Sequence, residues 1–306
     1  MLVGLPGSGK SYIAQELMEK DTNIQLFSSD KLREELWGDE SVQGDNNKLF
    51  AELHNRIKEC LASGNDCIYD ATNISRKRRI AFLNQIKQYK NVEKVCVFAL
   101  TSIERCIKNN SLRDRKVPED VIRNMYLKFD VPSYTEGWDK IIVKKFPHEK
   151  KLNVFRLMDE LMTIPHDNPF HKSTIGSHIC RVTEYIANNY GFKIPVEIFE
   201  KVSTAAFNHD IGKKYTKTFV NSHGETTDIA HYYNHERVSA YMFLLNFTQK
   251  ELDKGNKELL DVAELILLHM RLHFTTDKAA EKLKKSIGDE QFFCLTILNE
   301  ADKICN

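Results

Sequence analysis

The chain has 306 residues, of which 42% are hydrophobic and 28% charged, a composition typical of soluble globular proteins with room for two domains. Its formal net charge of +1 excludes the general basic field of many polynucleotide-binding proteins, so such binding would need a local patch. Seven scattered Cys without a CxxC pair predict reduced thiols and a cytoplasmic location. The lack of an apolar run of about 18 residues argues against a membrane helix.

The first predicted strand, residues 1–3, leads directly into GLPGSGKS at 4–11, which has the pattern of a nucleotide phosphate-binding loop. Its glycines allow a tight turn whose amide N–H groups point at the phosphates, and the helix that follows adds its positive dipole. Lys10 is expected to reach the β- and γ-phosphate oxygens, and Ser11 to bind Mg²⁺. We therefore expect ATP and Mg²⁺ as cofactors, held by Gly4, Gly7, Ser8, Gly9, Lys10 and Ser11. The alternative is an ordinary glycine-rich turn before a helix.

The second predicted strand, residues 24–27, ends in the segment SSDKLR. Asp30 lies where a strand-end carboxylate can take a proton from an attacking hydroxyl group, which makes it the candidate general base. Arg33 follows one helical turn later and is a candidate for holding an anion on the acceptor. In the competing interpretation, Ser29 or Asp30 only caps the helix KLREELW.

The third predicted strand, residues 66–70, ends at Asp70, which is expected beside the glycine-rich loop. A carboxylate at this position can bind Mg²⁺ through water or orient an arginine, although it can also belong to a simple turn. The basic run RKRR at 76–79 follows at once. It is either a solvated helix face or a grip for a polyanion.

A fourth strand is predicted at 95–100 and a fifth at 140–145, with helical patterns such as residues 49–64 between the strands. Alternation of strands and helices predicts an α/β domain with a central parallel sheet. The arginine-rich segment after the fourth strand can fold over the donor and neutralise transition-state charge. Arg113 is the first candidate for this role and Arg115 the second; the alternative is an ordinary charged helix surface.

Taken together, GxxGxGKS, SSDxxR, DATN, an Arg followed by VPExVI, and EGWDKI resemble the phage-type polynucleotide 5′-kinase family over residues 1–146. The resemblance implies a P-loop kinase fold in which Asp30 is the general base. It also implies that Arg33 contacts the phosphate of the accepting nucleotide and that Arg113 contacts the donor. The family usually has an arginine where this chain has Asn109.

A linker is predicted at 147–153, where a proline and a charge run interrupt the pattern, and a second domain at 154–306. Helical patterns dominate this half, so the prediction is an all-helical bundle. Nine of the 11 His lie after residue 160, which marks a change in chemistry between the halves.

Six residues of the second half are candidate metal ligands, because spacings of 25 to 34 residues can place them on successive helices of a bundle. They are His178, His209, Asp210, His235, His269 and Asp302. Imidazole and carboxylate groups suit one or two ions of Mn²⁺, Fe²⁺, Co²⁺, Ni²⁺ or Zn²⁺, and an aspartate can bridge two metals. Lys213 is a candidate for binding a phosphate oxygen. His231 and His273 are alternative ligands, because each lies four residues from a chosen one and is expected on the same helix face. His171 is a candidate for contacting the phosphate or for supporting a metal ligand.

The pattern H…HD…H…H…D, with NHDIGK, resembles the HD-domain phosphohydrolase superfamily. The segments DNPFHKSTIGSHICRV, NHERVSA and LHM are most similar to the HD portion of bacterial tRNA nucleotidyltransferases, which acts on 2′,3′-cyclic phosphate and 2′-phosphate ends. The resemblance implies a C-terminal HD-domain helical bundle that hydrolyses phosphate esters.

The two halves together resemble bifunctional end-healing enzymes that join an HD phosphoesterase to a polynucleotide kinase, with the domain order reversed here. The expected substrates are nucleic acid ends, either RNA or DNA, which gain a 5′-phosphate and lose a 2′,3′-cyclic, 2′- or 3′-phosphate. Two alternatives remain open. One is a nucleoside or sugar kinase fused to a nucleotide phosphohydrolase, and the other is a regulatory module in which ATP binding gates the HD site.

Overall fold

The computed structural model describes residues 1–40, 42, 44–146, 149, 151–169, 173–273 and 275–306. The chain divides into two compact units, which we call the N-terminal unit (residues 1–126 and 136–149) and the helical unit (residues 127–135 and 150–306). Three residues of the predicted linker, at 147, 148 and 150, lie outside the described residues. No helix within the described ranges is long and apolar enough to cross a membrane.

The segment 127–135 falls inside the predicted first domain, 1–146, but it packs within the helical unit. The ring of Phe129 meets that of Tyr241 edge-on, with centroids 5.0 Å apart. The hydroxyl groups of Ser133 and Thr135 both donate hydrogen bonds to the buried carboxylate of Glu264. The partners of these residues lie more than 100 residues away in the sequence, so no local pattern indicates that segment 127–135 packs in the helical unit.

The N-terminal unit is built on a five-stranded sheet with the order β2-β3-β1-β4-β5, in which all pairs are parallel. The strands are β1 Leu2–Val3, β2 Gln25–Ser28, β3 Cys67–Asp70, β4 Val95–Leu100 and β5 Lys140–Lys145. The helices are α1 Lys10–Lys20, α2 Ser29–Trp37, α3 Asn46–Ala62, α4 Arg76–Ile86, α5 Ile103–Ser111 and α6 Glu119–Leu127. The predicted parallel sheet with interleaved helices is confirmed.

The apolar pattern of each element explains why it forms. Strand β4, VCVFAL, is buried along nearly its whole length, as expected of a strand covered on both faces. Helix α3 buries Leu49, Leu53, Ile57 and Cys60, which recur at helical spacing on one face. The register then aligns Leu2 and Ser28 with Asp70, so the segments that follow β1, β2 and β3 leave the sheet at one edge.

The helical unit contains nine α-helices and one β-hairpin within the described ranges. The helices are α7 Val154–Leu161, α8 Ile175–Tyr190, α9 Val196–Asn208, α10 Lys213–Thr216, α11 His235–Leu245, α12 Gln249–Lys254, α13 Asn256–Leu268, α14 Asp277–Ile287 and α15 Asp289–Ile304. Helix α13 is buried at every residue from 260 to 268 and packs against α9, α11 and α15. An apolar helix of this kind forms the centre of a bundle.

The hairpin shows that the all-helical prediction is wrong in one place. Strands β6 Thr218–Val220 and β7 Thr226–His231 pair antiparallel. Both are rich in β-branched residues, and the side chain of Asn221 accepts hydrogen bonds from the backbone of residues 223 and 225 in the turn. Short β-branched segments on either side of an asparagine turn are a local sequence pattern that is typical of a β-hairpin.

The basic run RKRR at 76–79 begins α4, and its last residue, Arg79, has a structural role in the core of the N-terminal unit. Arg79 is buried and donates hydrogen bonds of 2.6 and 2.7 Å to the buried carboxylate of Glu136, which also accepts one from the indole N–H of Trp138. Arg79 is therefore not available to a polyanion. Lys77 and Arg78 are exposed on the same helix.

We expect Arg79→Ala to destabilise the N-terminal unit by about 3–5 kcal/mol, because it removes both short hydrogen bonds that Arg79 donates to the buried Glu136 carboxylate and leaves Arg76, 3.9 Å away, as a cation. Both Trp of the sequence, Trp37 and Trp138, lie in this unit, so tryptophan fluorescence during urea unfolding follows it selectively. Lys77→Ala is the matched control and should leave the unfolding midpoint unchanged. An equal midpoint for the two variants would show that the buried pair adds no stability.

Candidate functional sites

The glycine-rich loop between β1 and α1 has the backbone of an anion-binding nest. Gly7 and Gly9 adopt φ angles of 76° and 93°, a region that side chains disfavour. A Cβ atom on Gly7 would lie 2.2 Å from the carbonyl oxygen of Cys106 in α5, so only glycine allows this approach. Ser8 is buried in the loop, and Ser11 is exposed in the first turn of α1.

Lys10 is positioned by the same loop. Its Nζ donates hydrogen bonds to the carbonyl oxygens of Gly4, at 3.0 Å, and Leu5, at 2.8 Å. Burial lowers the pKa of Lys10, while the nearby carboxylate of Asp70 acts in the opposite direction. Burial likewise raises the pKa of Asp70, and Lys10 opposes that shift. The two groups therefore belong to one electrostatic site.

Two side chains from outside the loop hold its carbonyl groups. Asn109 in α5 donates a 2.9 Å hydrogen bond to the carbonyl of Gly7, and Thr101 donates a 3.0 Å bond to that of Ser8. Carbonyl groups held in this way are turned toward their donors, which favours an inward orientation of the neighbouring amide N–H groups. Asn109, at the position where the sequence resemblance implied an arginine, thus acts on the loop itself.

We expect Asn109→Ala to weaken the binding of MgATP roughly 2- to 10-fold, the equivalent of one neutral hydrogen bond. Isothermal titration calorimetry on the full chain measures this change. Lys108→Ala, one residue earlier and exposed, is the control that should leave affinity unchanged. Unaltered affinity in Asn109→Ala would mean that the loop holds its shape without this bond.

The segment after β2 combines a helix cap with a carboxylate. The side chain of Ser28 accepts a hydrogen bond from the backbone N–H of Asp30, so Ser28 caps α2, and the predicted caps, Ser29 and Asp30, lie inside the helix. The carboxylate of Asp30 is consequently left for other contacts. It forms a 2.7 Å ion pair with Arg115, and Glu40 lies 3.8 Å from the same guanidinium.

The other two predicted arginines differ in exposure. Arg113 is exposed, and its charge acts on the pKa of both Lys10 and Asp70, which places it near the loop. Arg33 is buried, and its guanidinium lies 3.3 Å from the carbonyl of Val42 and 3.4 Å from Asn46 Oδ1. The structure thus brings Asp30, Asp70, Lys10 and Arg113 to one edge of the sheet, with Arg33 held at the start of α3.

In the helical unit the six predicted metal ligands converge into one buried cluster. Asp210 lies at its centre: Oδ2 is 3.3 Å from His209 Nε2 and 3.5 Å from His178 Nε2. Its Oδ1 is 3.2 Å from His235 Nε2 and 3.8 Å from His269 Nε2. Asp210 therefore belongs to two groups of potential ligands, His178–His209–Asp210 and Asp210–His235–His269, each with its ligand atoms within 4.8 Å of one another.

Helix ends, rather than helix faces, supply most of these side chains. His209 and His269 directly follow α9 and α13, and His235 is the first residue of α11. His178 lies within α8, and Asp302 within α15. Asp302 Oδ1 is 2.9 Å from His178 Nε2, which adds a second carboxylate to the first group.

The outer nitrogen of each histidine ring contacts a backbone carbonyl. Nδ1 lies 2.7 Å from a carbonyl oxygen in His209, His235 and His269, and 3.3 Å from one in His178. A carbonyl can only accept, so Nδ1 carries a proton and Nε2 is the ring atom that faces the cluster. Facing Nε2 atoms lie only 3.3 and 3.2 Å apart, a spacing that either a shared proton or a metal ion between them stabilises. These donors fit divalent metal ions.

Asp210 is ionised within the cluster, as a carboxylate metal ligand must be. Burial acts to raise the pKa of Asp210, but His209 and Lys213 hold it well below its usual range. Burial also opposes the shift of His209, whose pKa Asp210 nevertheless raises. Burial and the neighbouring His235 lower the pKa of His269 to about 3, which keeps this ring neutral. A neutral imidazole is the form that binds metal.

The structure gives the alternative metal ligands, His231 and His273, different positions relative to the cluster. His231 ends strand β7 and stacks on Tyr233, outside the cluster, so the expectation that it shares a helix face with His235 is wrong. His273 Nε2 lies 2.9 Å from Asp302 Oδ2 and supports that carboxylate. His171 lies outside the described residues.

His166 was missed by sequence reasoning, although it is fully buried with its ring centroid 5.7 Å from that of His178. Burial lowers its pKa to about 4. It lies in the irregular segment between α7 and α8, where no helical spacing could suggest it.

The parallel sheet and the glycine-rich loop between β1 and α1 make the N-terminal unit a P-loop kinase-like domain. Residues 1–132 match the family model described as an AAA domain. Over 148 residues, 45% of this chain, the sequence is 30% identical to the L-seryl-tRNA(Sec) kinase of Methanococcus maripaludis. The chain covers 55% of the length of that relative. A P-loop kinase domain implies ATP and Mg²⁺ as cofactors.

Proposed function

We propose that this chain is a bifunctional nucleic-acid end-healing enzyme, with an ATP-dependent 5′-hydroxyl kinase in the N-terminal unit and a metal-dependent HD-type phosphoesterase in the helical unit. The observation that carries the proposal is Asp210, shared by two buried groups of metal ligands in a chain that also holds a P-loop. A phosphate-adding site and a phosphate-removing site in one chain would cancel each other on one metabolite hydroxyl. They complement each other on a broken strand, which has two different ends.

In the kinase half, the loop amides and Lys10 would hold the donor phosphates, and Ser11 the Mg²⁺. Asp30 takes the proton from the attacking hydroxyl, and the adjacent Arg115 and Arg113 neutralise charge on the transferred group. Arg33 is the proposed contact for a phosphate on the acceptor. A relative named for a seryl-tRNA substrate supports a substrate that contains nucleic acid.

In the phosphoesterase half, His178, His209, Asp210 and Asp302 would hold one divalent ion, and Asp210, His235 and His269 a second. Bound metal supplies a hydroxide nucleophile at neutral pH and Lewis-acid stabilisation of the phosphate. Lys213 is the proposed contact for a phosphate oxygen. Its Nζ lies 2.6 Å from Asp210 Oδ2, at the edge of the cluster.

One incubation tests both halves. An RNA oligonucleotide with a 5′-hydroxyl and a 2′,3′-cyclic phosphate is mixed with the full chain, γ-labelled ATP, Mg²⁺ and Mn²⁺, and both ends are then mapped. We expect label at the 5′ end, and opening of the cyclic phosphate followed by release of phosphate at the other end. Label on nucleosides or sugars offered in a parallel incubation, with none on the oligonucleotide, would instead identify a small-molecule kinase.

A further inference from the structure

The feature that the proposed chemistry leaves unexplained is the buried histidine at 166. It lies in the segment between α7 and α8, where residues 165 and 174 pair as an isolated bridge. The hydroxyl of Tyr232 donates a 2.5 Å hydrogen bond to its backbone carbonyl. The backbone around the His166 ring is therefore held from both sides.

The ring contacts of His166 assign its tautomer. Nδ1 lies 2.9 Å from the carbonyl oxygen of Ser173, which can only accept, so Nδ1 carries the proton. Nε2 is then an acceptor, and the ammonium of Lys213 lies 3.5 Å from it. His166 thus presents a lone pair to a cation and no proton to the metal-ligand cluster.

Lys213 is fixed from three directions. Its Nζ lies 2.6 Å from Asp210 Oδ2, 3.5 Å from His166 Nε2 and 5.4 Å from the centroid of the Tyr232 ring. The side chain is only 8% exposed. A lysine side chain has large rotamer freedom, and three fixed neighbours remove that freedom before a ligand arrives.

We propose that His166 is a positioning residue that holds the Lys213 ammonium over Asp210, ready to bind an oxygen of the substrate phosphate. This inference rests on the proposed phosphoesterase function. His166 belongs to neither group of potential metal ligands among the described residues, which separates it from the metal-binding histidines.

Binding of inorganic phosphate to the Mn²⁺-loaded full chain, measured by calorimetry, tests the proposal without requiring turnover. Two variants distinguish the contact made by Nε2 of His166 from the contact made by Nδ1. Gln places a carbonyl oxygen where His166 has Nε2, whereas Asn reaches only as far as Nδ1. We expect His166→Asn to weaken phosphate binding about tenfold, because the Lys213 ammonium loses the acceptor that orients it, and His166→Gln to retain most of the binding.

Lys213→Ala completes the test. We expect a loss of about 10- to 100-fold in phosphate affinity, because a charge-assisted hydrogen bond is removed, and no further loss in the His166→Asn, Lys213→Ala double variant. On a 2′,3′-cyclic nucleotide, both single variants should raise KM more than they lower kcat. Mn²⁺ content should stay at the wild-type level.

Three results would overturn the proposal. A fall in Mn²⁺ content in His166→Asn would make the ring a metal ligand. Additive losses in the double variant would mean that His166 acts independently of Lys213. Equal phosphate affinity in the Gln and Asn variants would remove the role of Nε2. A wild-type chain that binds phosphate in the expected way but hydrolyses no ester would refute the proposed phosphoesterase and leave the positioning result standing.

Discussion

Asp210→Asn is expected to empty the metal cluster and to lower phosphoesterase activity by about 10³-fold or more, the loss that corresponds to several kcal/mol of metal-dependent stabilisation. The reason is geometric, since each carboxylate oxygen of Asp210 serves a different group of histidines. Removing a single histidine would disturb one group only. The charge of Asp210 would offset that of a metal ion in each group, and an amide cannot do so.

The measurements are Mn²⁺ content by elemental analysis and hydrolysis of a 2′,3′-cyclic nucleotide. Asp261→Asn is the matched control, because Asp261 is a buried carboxylate of the same unit that pairs with Lys257 and Lys201 instead. Kinase activity should stay within about twofold of wild type in both variants, since the P-loop belongs to the other unit. Full metal occupancy in Asp210→Asn would contradict the shared-ligand arrangement.

Asp30→Asn is expected to lower kinase activity by about 10²- to 10⁴-fold, the usual contribution of a general base, while phosphoesterase activity is unchanged. Asparagine keeps the shape of the side chain, and the cap on α2 comes from Ser28, so the helix should be unaffected. The loss should appear in kcat, because a general base at Asp30 would accept a proton only as the acceptor reacts. Binding of MgATP should be close to that of wild type.

Glu40→Gln is the control for the electrostatic part of this effect. Glu40 lies 3.8 Å from the Arg115 guanidinium that Asp30 contacts at 2.7 Å, and both carboxylates have 40% exposed side chains. Removing the Glu40 charge tests whether the loss in Asp30→Asn comes only from the release of Arg115. Equal losses in the two variants would remove Asp30 as the base and leave it as a partner of Arg115.

Local sequence patterns predicted the elements of the N-terminal unit well. All five predicted strands form, within a residue or two of the expected bounds, because buried parallel strands and glycine-rich turns have strong short-range signals. The hairpin at 218–231 was missed since its strands are short, and a helical background dominated the interpretation. Arg79 was misjudged because a basic run does not show which of its members faces the core.

The candidate sites, too, were predicted in part from local sequence patterns and decided in part by tertiary structure. The sequence contained the P-loop and the six ligand candidates of the helical unit, because both patterns depend on residue types at set spacings. Tertiary structure alone decided that Asp210 lies between two groups, that His273 supports Asp302, that Asn109 holds the loop, and that His166 faces Lys213. These relations join residues far apart in the chain, and only long-range packing, which leaves no periodic trace in the sequence, brings such atoms within hydrogen-bonding distance.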